Sequence, residues 1–154
     1  MEKFLTEMAT QEHTWENWKQ WYDAFRPKTA LEPHDVKLIA MDEEHMILSM
    51  LMGEHAMQPY GLLHGGMSMM LAETAASVHS CWGVDLRKRV PVGIEINGSH
   101  LRSASEGTII TTAQLVRKSQ TLAHHNVEVR QKEGDRLLSV VRVTNLYKKL
   151  KRDS

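Results

Sequence analysis

The stretch QPYGLLHGG (Gln58–Gly66), running straight into MSMMLAETAASVHSCW (Met67–Trp82), decides how this chain is read. The second part is rich in alanine, methionine and leucine and free of proline, a composition that favours helix. Gly65 and Gly66 stand at its start and Gly83 just past its end, positions where helix termini favour glycine. A helix is therefore predicted over Met67–Trp82, and only Glu73 within it carries a formal charge. The wider run from Ala56 to Val84 is broken by Glu73 and by several histidines and glycines, so it reads as a buried helix and not as a membrane span.

On the C-terminal side of this helix the apolar period changes to two. Val92, Ile94 and Ile96 alternate, as do Ile109, Thr111, Ala113 and Leu115, then Val127 and Val129, then Leu138, Val140 and the neighbours of Leu146. Turn-forming residues at Ser103–Gly107 and Lys132–Asp135 separate these strands. On the N-terminal side, Val36–Met41 and Met46–Met52 flank Asp42-Glu43-Glu44 and predict a strand hairpin. Further upstream, Trp15, Trp18, Trp21, Tyr22 and Phe25 fall three and four apart, which draws an aromatic face on a helix that Arg26-Pro27 ends. Such a stripe is a packing surface or a lid over an apolar ligand. The pattern is an α+β chain: residues 1–30 form a helical extension, and residues 31–154 form an antiparallel sheet curled round one helix. A sheet that covers only part of its helix points to association through a sheet edge or face.

Bulk properties narrow the function classes. A chain of 154 residues fits one domain with a real core, and 25% charged and 42% hydrophobic residues are ordinary for a globular protein. Lysine plus arginine balance aspartate plus glutamate at 19 each, so net charge gives no case for nucleic acid or membrane binding. The basic run Lys148, Lys149, Lys151 and Arg152 is a solvated end or a contact for an anionic ligand. The lone Cys81 allows no intramolecular disulfide and suits a reducing compartment, and Met1–Gln20 does not read as a leader; the expectation is a cytoplasmic protein.

Glu73 carries the chemical argument. It lies among Met69, Met70, Leu71, Ala72, Ala75 and Ala76, and burying an unpaired carboxylate costs several kcal/mol. It is a structural group bonded to backbone or to Ser77, or a nucleophile or general base in a dry cleft. Gly65 and Gly66 either make a tight turn or leave backbone N–H groups open at the positive end of a helix, which suits a developing oxyanion. Gln58 and His64 could add a donor and a positioning group. Gly65 and Glu73 are eight residues apart, roughly 12 Å along a helix. One carbonyl cannot touch both from the same helix, so a site using both is shared between two subunits across a two-fold axis. Such a pair suffices for a thioester, whose thiol leaving group has a pKa of about 8.5. Gly66-Met67-Ser68-Met69-Met70 lacks the closing glycine of a nucleophile elbow. His124 and His125 should point to opposite faces of a strand, no spacing matches a zinc site, and Cys81 reads as a small buried hydrophobe.

QPYGLLHGG and LAETAAS (Leu71–Ser77), followed by VGIEINGSHLRSASEG (Val92–Gly107), resemble the hotdog-fold acyl-CoA thioesterases. The branch they resemble carries a glutamate on the central helix and includes 4-hydroxybenzoyl-CoA and 1,4-dihydroxy-2-naphthoyl-CoA thioesterases. The resemblance spans Leu31 to Tyr147. It implies a hotdog fold, with the N-terminal helix as an addition, and hydrolysis of an acyl-CoA, aryl-CoA in particular, to the acid and CoA. It implies no cofactor beyond the CoA of the substrate, and a homotetramer built from two-fold dimers. Carried over by position, Gln58 and the Gly65 N–H would hold the thioester oxygen, and Glu73 of the other subunit would be nucleophile or base. His64 would shape the loop, Ser77 would orient the water, and Arg102, Gln120 and Thr121 would contact the CoA nucleotide. The family's usual glycine in that last turn is Ser119 here. The same fold also hosts non-catalytic acyl-CoA-binding modules, and dehydratases of 3-hydroxyacyl thioesters that use a histidine with an acidic partner.

Overall fold

The computed structural model describes Thr6, Met8, residues 11–27 and residues 29–150. The aromatic stripe forms helix α1, Trp15–Phe25, with the Thr14 hydroxyl capping it by accepting the Asn17 N–H. The helix ends at Phe25, but Arg26 keeps helical dihedrals (φ −53°, ψ −43°) and its N–H donates to the Tyr22 carbonyl, so the residue before proline is not pushed out of helical geometry as expected. Pro27, with no N–H to carry the ladder on, ends it. Strands β1 (Lys37–Met41) and β2 (His45–Leu51) form the expected hairpin. Its turn is closed by Asp42, whose Oδ1 accepts the N–H groups of Glu44 (2.8 Å) and His45 (2.7 Å). Helix α2 (Gly65–His79) precedes four strands: β3 (Arg89–His100), β4 (Thr108–Lys118), β5 (Leu122–Gln131) and β6 (Arg136–Lys149).

The six strands form one sheet in the order β1-β2-β4-β5-β6-β3, antiparallel throughout, with β1 and β3 at its edges. Helix α2 lies across one face, in contact with β2 to β6. Ser68, Leu71, Ala72, Ala75, Ala76 and His79 point into the sheet at spacings of three and four, and the alanines let the backbones approach closely. They meet Met46, Leu48, Met50, Ile109, Val127, Val129 and Val143, all buried. Each such large side chain contributes about 1.5–3 kcal/mol on burial, which holds the sheet to the helix.

Three details differ from the sequence reading. Helix α2 starts and ends earlier than Met67–Trp82: the His64 ring caps it at Gly65, and residues past His79 wind into turns that Gly83 closes with φ +65°. Val92 and Ile94 are not core residues; they are 42% and 55% exposed, on an edge strand whose register shifts between Gly93 and Glu95. On β6 the inward positions are Val141 and Val143, while Val140 faces out.

Helix α1 packs on β1 and over the C-terminal end of α2. The Trp18 and Trp82 rings stack with centroids 6.1 Å apart, and the Tyr22 hydroxyl donates to the Val36 carbonyl at 3.1 Å. His13 Nδ1 accepts both the Trp18 indole N–H (3.1 Å) and the Gly83 N–H (3.0 Å), tying the extension to the end of α2. Among the described residues, no helix is long and apolar enough to cross a membrane.

Candidate active site

The Gln58–His64 loop is fixed at both ends by backbone bonds. Gln58 N–H donates to Leu62 O, Leu63 N–H to Ala104 O and His64 N–H to Ala56 O, each at 2.8 Å. Gly61 turns the chain at φ +74°. His64 Nδ1 then accepts the Gly66 N–H at 2.8 Å. The Gly65 N–H is left different from its neighbour. It is the first of the helix, so it has no intrahelical acceptor, and among the described residues it has none elsewhere. It points out of the positive end of α2.

Across from it stands His100, at the end of β3. A Cβ on Gly65 would lie 2.7 Å from His100 Nε2, so only glycine lets the ring sit this close. Register pairs His100 with Ser139 on β6, and His100 Nδ1 bonds the Ser139 hydroxyl at 2.9 Å. Gln58, Leu62, Gly65, Ser68, His100 and Arg102 line a cleft of about 450 Å³. Arg102 is exposed at its rim and donates to the Leu137 carbonyl at 3.2 Å.

Glu73 does not reach this cleft. Nor is it buried within the chain, contrary to the reading from its apolar neighbours: Leu71, Ala72, Ala75 and Ala76 are buried against the sheet, while Glu73 is exposed on a flank of the helix, with the partly buried Met69 and Ser77 one turn to either side. Its carboxylate extends over edge strand β3 at Gly93, where a Cβ would come within 2.6 Å of Oε1. One helical turn on, the Ser77 hydroxyl donates to Asn145 Oδ1 at 3.0 Å. The candidate residues therefore fall into two separate groups, Gln58 with Gly65 where the loop enters α2 and Glu73 with Ser77 further along the helix.

Gln120 and Thr121 stand elsewhere again, in the turn between β4 and β5. The Gln120 carbonyl accepts from the Arg89 guanidinium, and the Thr121 carbonyl accepts the Tyr147 N–H at 2.8 Å. Arg89 opens β3 and His100 closes it, and those 12 residues put the turn and Arg102 at opposite ends of the sheet. One chain does not bring them together. Ser119 serves the turn without a left-handed residue, its hydroxyl accepting the N–H groups of Thr121 (3.2 Å) and Leu122 (3.0 Å).

The far end of α2 is polar but closed. His79 Nδ1 and His125 Nε2 share a hydrogen bond of 2.8 Å, and His79 Nε2 bonds the Asp42 carbonyl at 3.0 Å. Burial lowers both rings, His79 to about 4 and His125 to about 3, so both are neutral near pH 7. His124, next along β5, faces the other way and bonds Thr144. Burial pushes the Cys81 thiol up to about 12, far from a reactive thiolate. No group of three or more His, Cys, Asp or Glu side chains that could hold a metal occurs among the described residues. Sequence reading singled out neither His100 nor Asn145, because each becomes informative only through its cross-strand partner.

The thioesterase superfamily model matches residues 60–138. The chain is 34% identical to ComA2 of Bacillus subtilis, named as an esterase, over 75% of this chain and 91% of that protein. It is 28% identical to the 1,4-dihydroxy-2-naphthoyl-CoA hydrolase of Listeria monocytogenes, over 74% of this chain and 91% of the hydrolase. Crystal structures of the thioesterase SAV0944 of Staphylococcus aureus superpose with TM-scores of 0.77 and 0.74 at 30% and 29% identity, covering 79% and 77% of this chain and 100% and 97% of theirs. One carries a glutamate-to-alanine and the other a glutamine-to-alanine substitution, fifteen positions apart.

Proposed function

The chain belongs to the thioesterase superfamily and is a thioester hydrolase of the hotdog fold, and on that premise we propose that it cleaves acyl-CoA, preferentially aryl-CoA, at a site shared by two subunits. The observation that carries this reading is the unpaired Gly65 N–H at the start of α2, beside Gln58, with Glu73 on the far side of the same helix. The thioester oxygen would sit between the Gly65 N–H and the Gln58 amide, where donors at a helix N-terminus stabilise the oxyanion as it forms. Glu73 of the partner subunit would attack the carbonyl carbon or take the proton of the attacking water. The C–S bond then breaks with its electron pair on sulfur, and a thiol with a pKa of about 8.5 leaves readily.

Support for the shared site comes from where Glu73 lies. It stands over β3, an open sheet edge that also exposes Val92 and Ile94, so a second chain joined at this edge would cover the carboxylate. Gln58 and Glu73 are also fifteen residues apart, the separation of the glutamine and glutamate replaced in the Staphylococcus aureus thioesterase. Arg102 and the Gln120–Thr121 turn, distant within one chain, would meet the CoA nucleotide from different subunits. We assign the active form as a cofactor-free homotetramer of two-fold dimers in the cytoplasm, in keeping with the neutral charge balance and single cysteine. Hydrolysis is favoured over dehydration or mere binding by the superfamily of the relatives.

The test is kcat/KM across benzoyl-, naphthoyl-, phenylacetyl- and medium-chain acyl-CoA esters. The expected result is turnover with aryl esters ahead by tenfold or more, about 1.4 kcal/mol of discrimination. Equal or better rates on alkyl esters would remove the aryl preference.

A further inference from the structure

Asn145 is out of place in the core. It is fully buried on β6 between Val143 and Tyr147, whose inward side chains are apolar and aromatic. Half of its amide is used: Oδ1 accepts the Ser77 hydroxyl at 3.0 Å, while Nδ2 is buried without a partner. An orphaned buried donor costs about 1–3 kcal/mol, and a leucine of similar size would avoid it. The surroundings indicate what the amide does. Asn145 pairs in register with Gly93 on β3, and the space a Cβ on Gly93 would fill is 2.6 Å from Glu73 Oε1 and 3.8 Å from Asn145 Oδ1. Three elements thus converge on one point: Glu73 and Ser77 from α2, the bare backbone of Gly93 from β3, and the Asn145 amide from β6.

We propose that Asn145 is a positioning residue for hydrolysis, acting through Ser77; this rests on the thioesterase reading with Glu73 at the reacting carbon. A serine hydroxyl has one proton and two lone pairs. Because Asn145 Oδ1 takes the proton, the Ser77 oxygen faces the Glu73 side as an acceptor only. A water lying between them then donates one hydrogen to Glu73 and the other to Ser77 Oγ, which leaves an oxygen lone pair for the acyl carbon. In the step itself the water oxygen bonds to that carbon, its proton passes to Glu73, and the thiolate leaves with the C–S electron pair. Without Asn145, the Ser77 hydroxyl can rotate and donate to the Glu73 carboxylate, competing with the water and turning it away from attack.

The test compares wild type, Asn145→Leu, Ser77→Ala, the double variant, Asn145→Asp and Glu73→Ala on one good ester. Asn145→Leu should lower kcat by 10-fold or more with KM within about twofold, at an unchanged or raised melting temperature. The double variant should be no slower than Ser77→Ala alone, because both changes remove the same water hold. Asn145→Asp keeps an acceptor for Ser77 but adds charge beside Glu73, so the acid limb of its kcat profile should move to higher pH. A structural role alone would change stability and leave kcat per folded molecule of Asn145→Leu in place. Full kcat in Asn145→Leu, or losses that multiply in the double variant, overturns the proposal while an inactive Glu73→Ala keeps the thioesterase site. An active Glu73→Ala overturns both.

Discussion

The two ends of helix α2 have been put to opposite uses. At its start the Gly65 N–H is unpaired, a glycine stands where any side chain would push His100 aside, and polar groups line an open cleft. At its end most polar groups are paired: His79 with His125 and Asp42, the Tyr147 hydroxyl with the Ser80 carbonyl at 2.8 Å, the Lys118 ammonium with the Trp82 carbonyl, and the Gly83 N–H with His13, while His125 Nδ1 is buried without a partner. Helix α1 covers that closed end with Trp18 and Trp21, each almost wholly buried. On the proposed reading the unpaired donor at the open end is there for a substrate to pair with, and packing at the far end supplies stability. The lesson is that activity and stability should respond separately to substitutions at the two ends.

The largest separation should come from Glu73→Ala. Glu73 is exposed and makes no hydrogen bond to its own chain among the described residues, so the melting temperature should stay within about 2 °C while kcat/KM falls about 10³-fold or more. A large loss of stability instead would mean that the carboxylate holds the fold. Trp18→Ala should do the reverse. Removing a fully buried indole should cost about 3–5 kcal/mol in urea unfolding, with kcat per folded molecule unchanged. A proportional fall in kcat would show that the closed end feeds the open one.

A smaller effect is expected from acid. His79 and His125 titrate near 6.5 when unfolded but are lowered to about 4 and about 3 in the fold. The unfolded chain therefore binds more protons below pH 6.5, and the stability these rings give is complete above that pH and declines as pH falls toward 4. At pH 5 the unfolding free energy should be lower than at pH 7, before most carboxylates titrate. Unfolding free energies equal at the two pH values would contradict the neutral, buried pair.

The local features were legible in the sequence. Helix α2, the Asp42 hairpin and the place where α1 ends follow from composition, turn chemistry and the proline at 27, although Arg26 itself stays in helical geometry. What escaped depended on distant pairing. Ser77 meets Asn145 across 68 residues and His100 meets Ser139 across 39, and only sheet register joins them. Glu73 shows a different limit: its apolar neighbours share its stretch of sequence but not its face of the helix. Val92 and Ile94 alternate like core residues, but they lie on an edge strand whose register shifts after Gly93, which periodicity alone does not reveal.

The central claim is that Gln58 and Glu73 act on one substrate from two chains. Gln58→Ala and Glu73→Ala, each inactive or nearly so, are to be mixed in equal amounts, allowed to exchange subunits, and assayed for thioester hydrolysis. Random pairing makes half the dimers mixed, each with one intact site, so activity should rise to about a quarter of wild type. No gain above the two variants alone, with exchange verified, would show that each site lies within one chain and contradict the account.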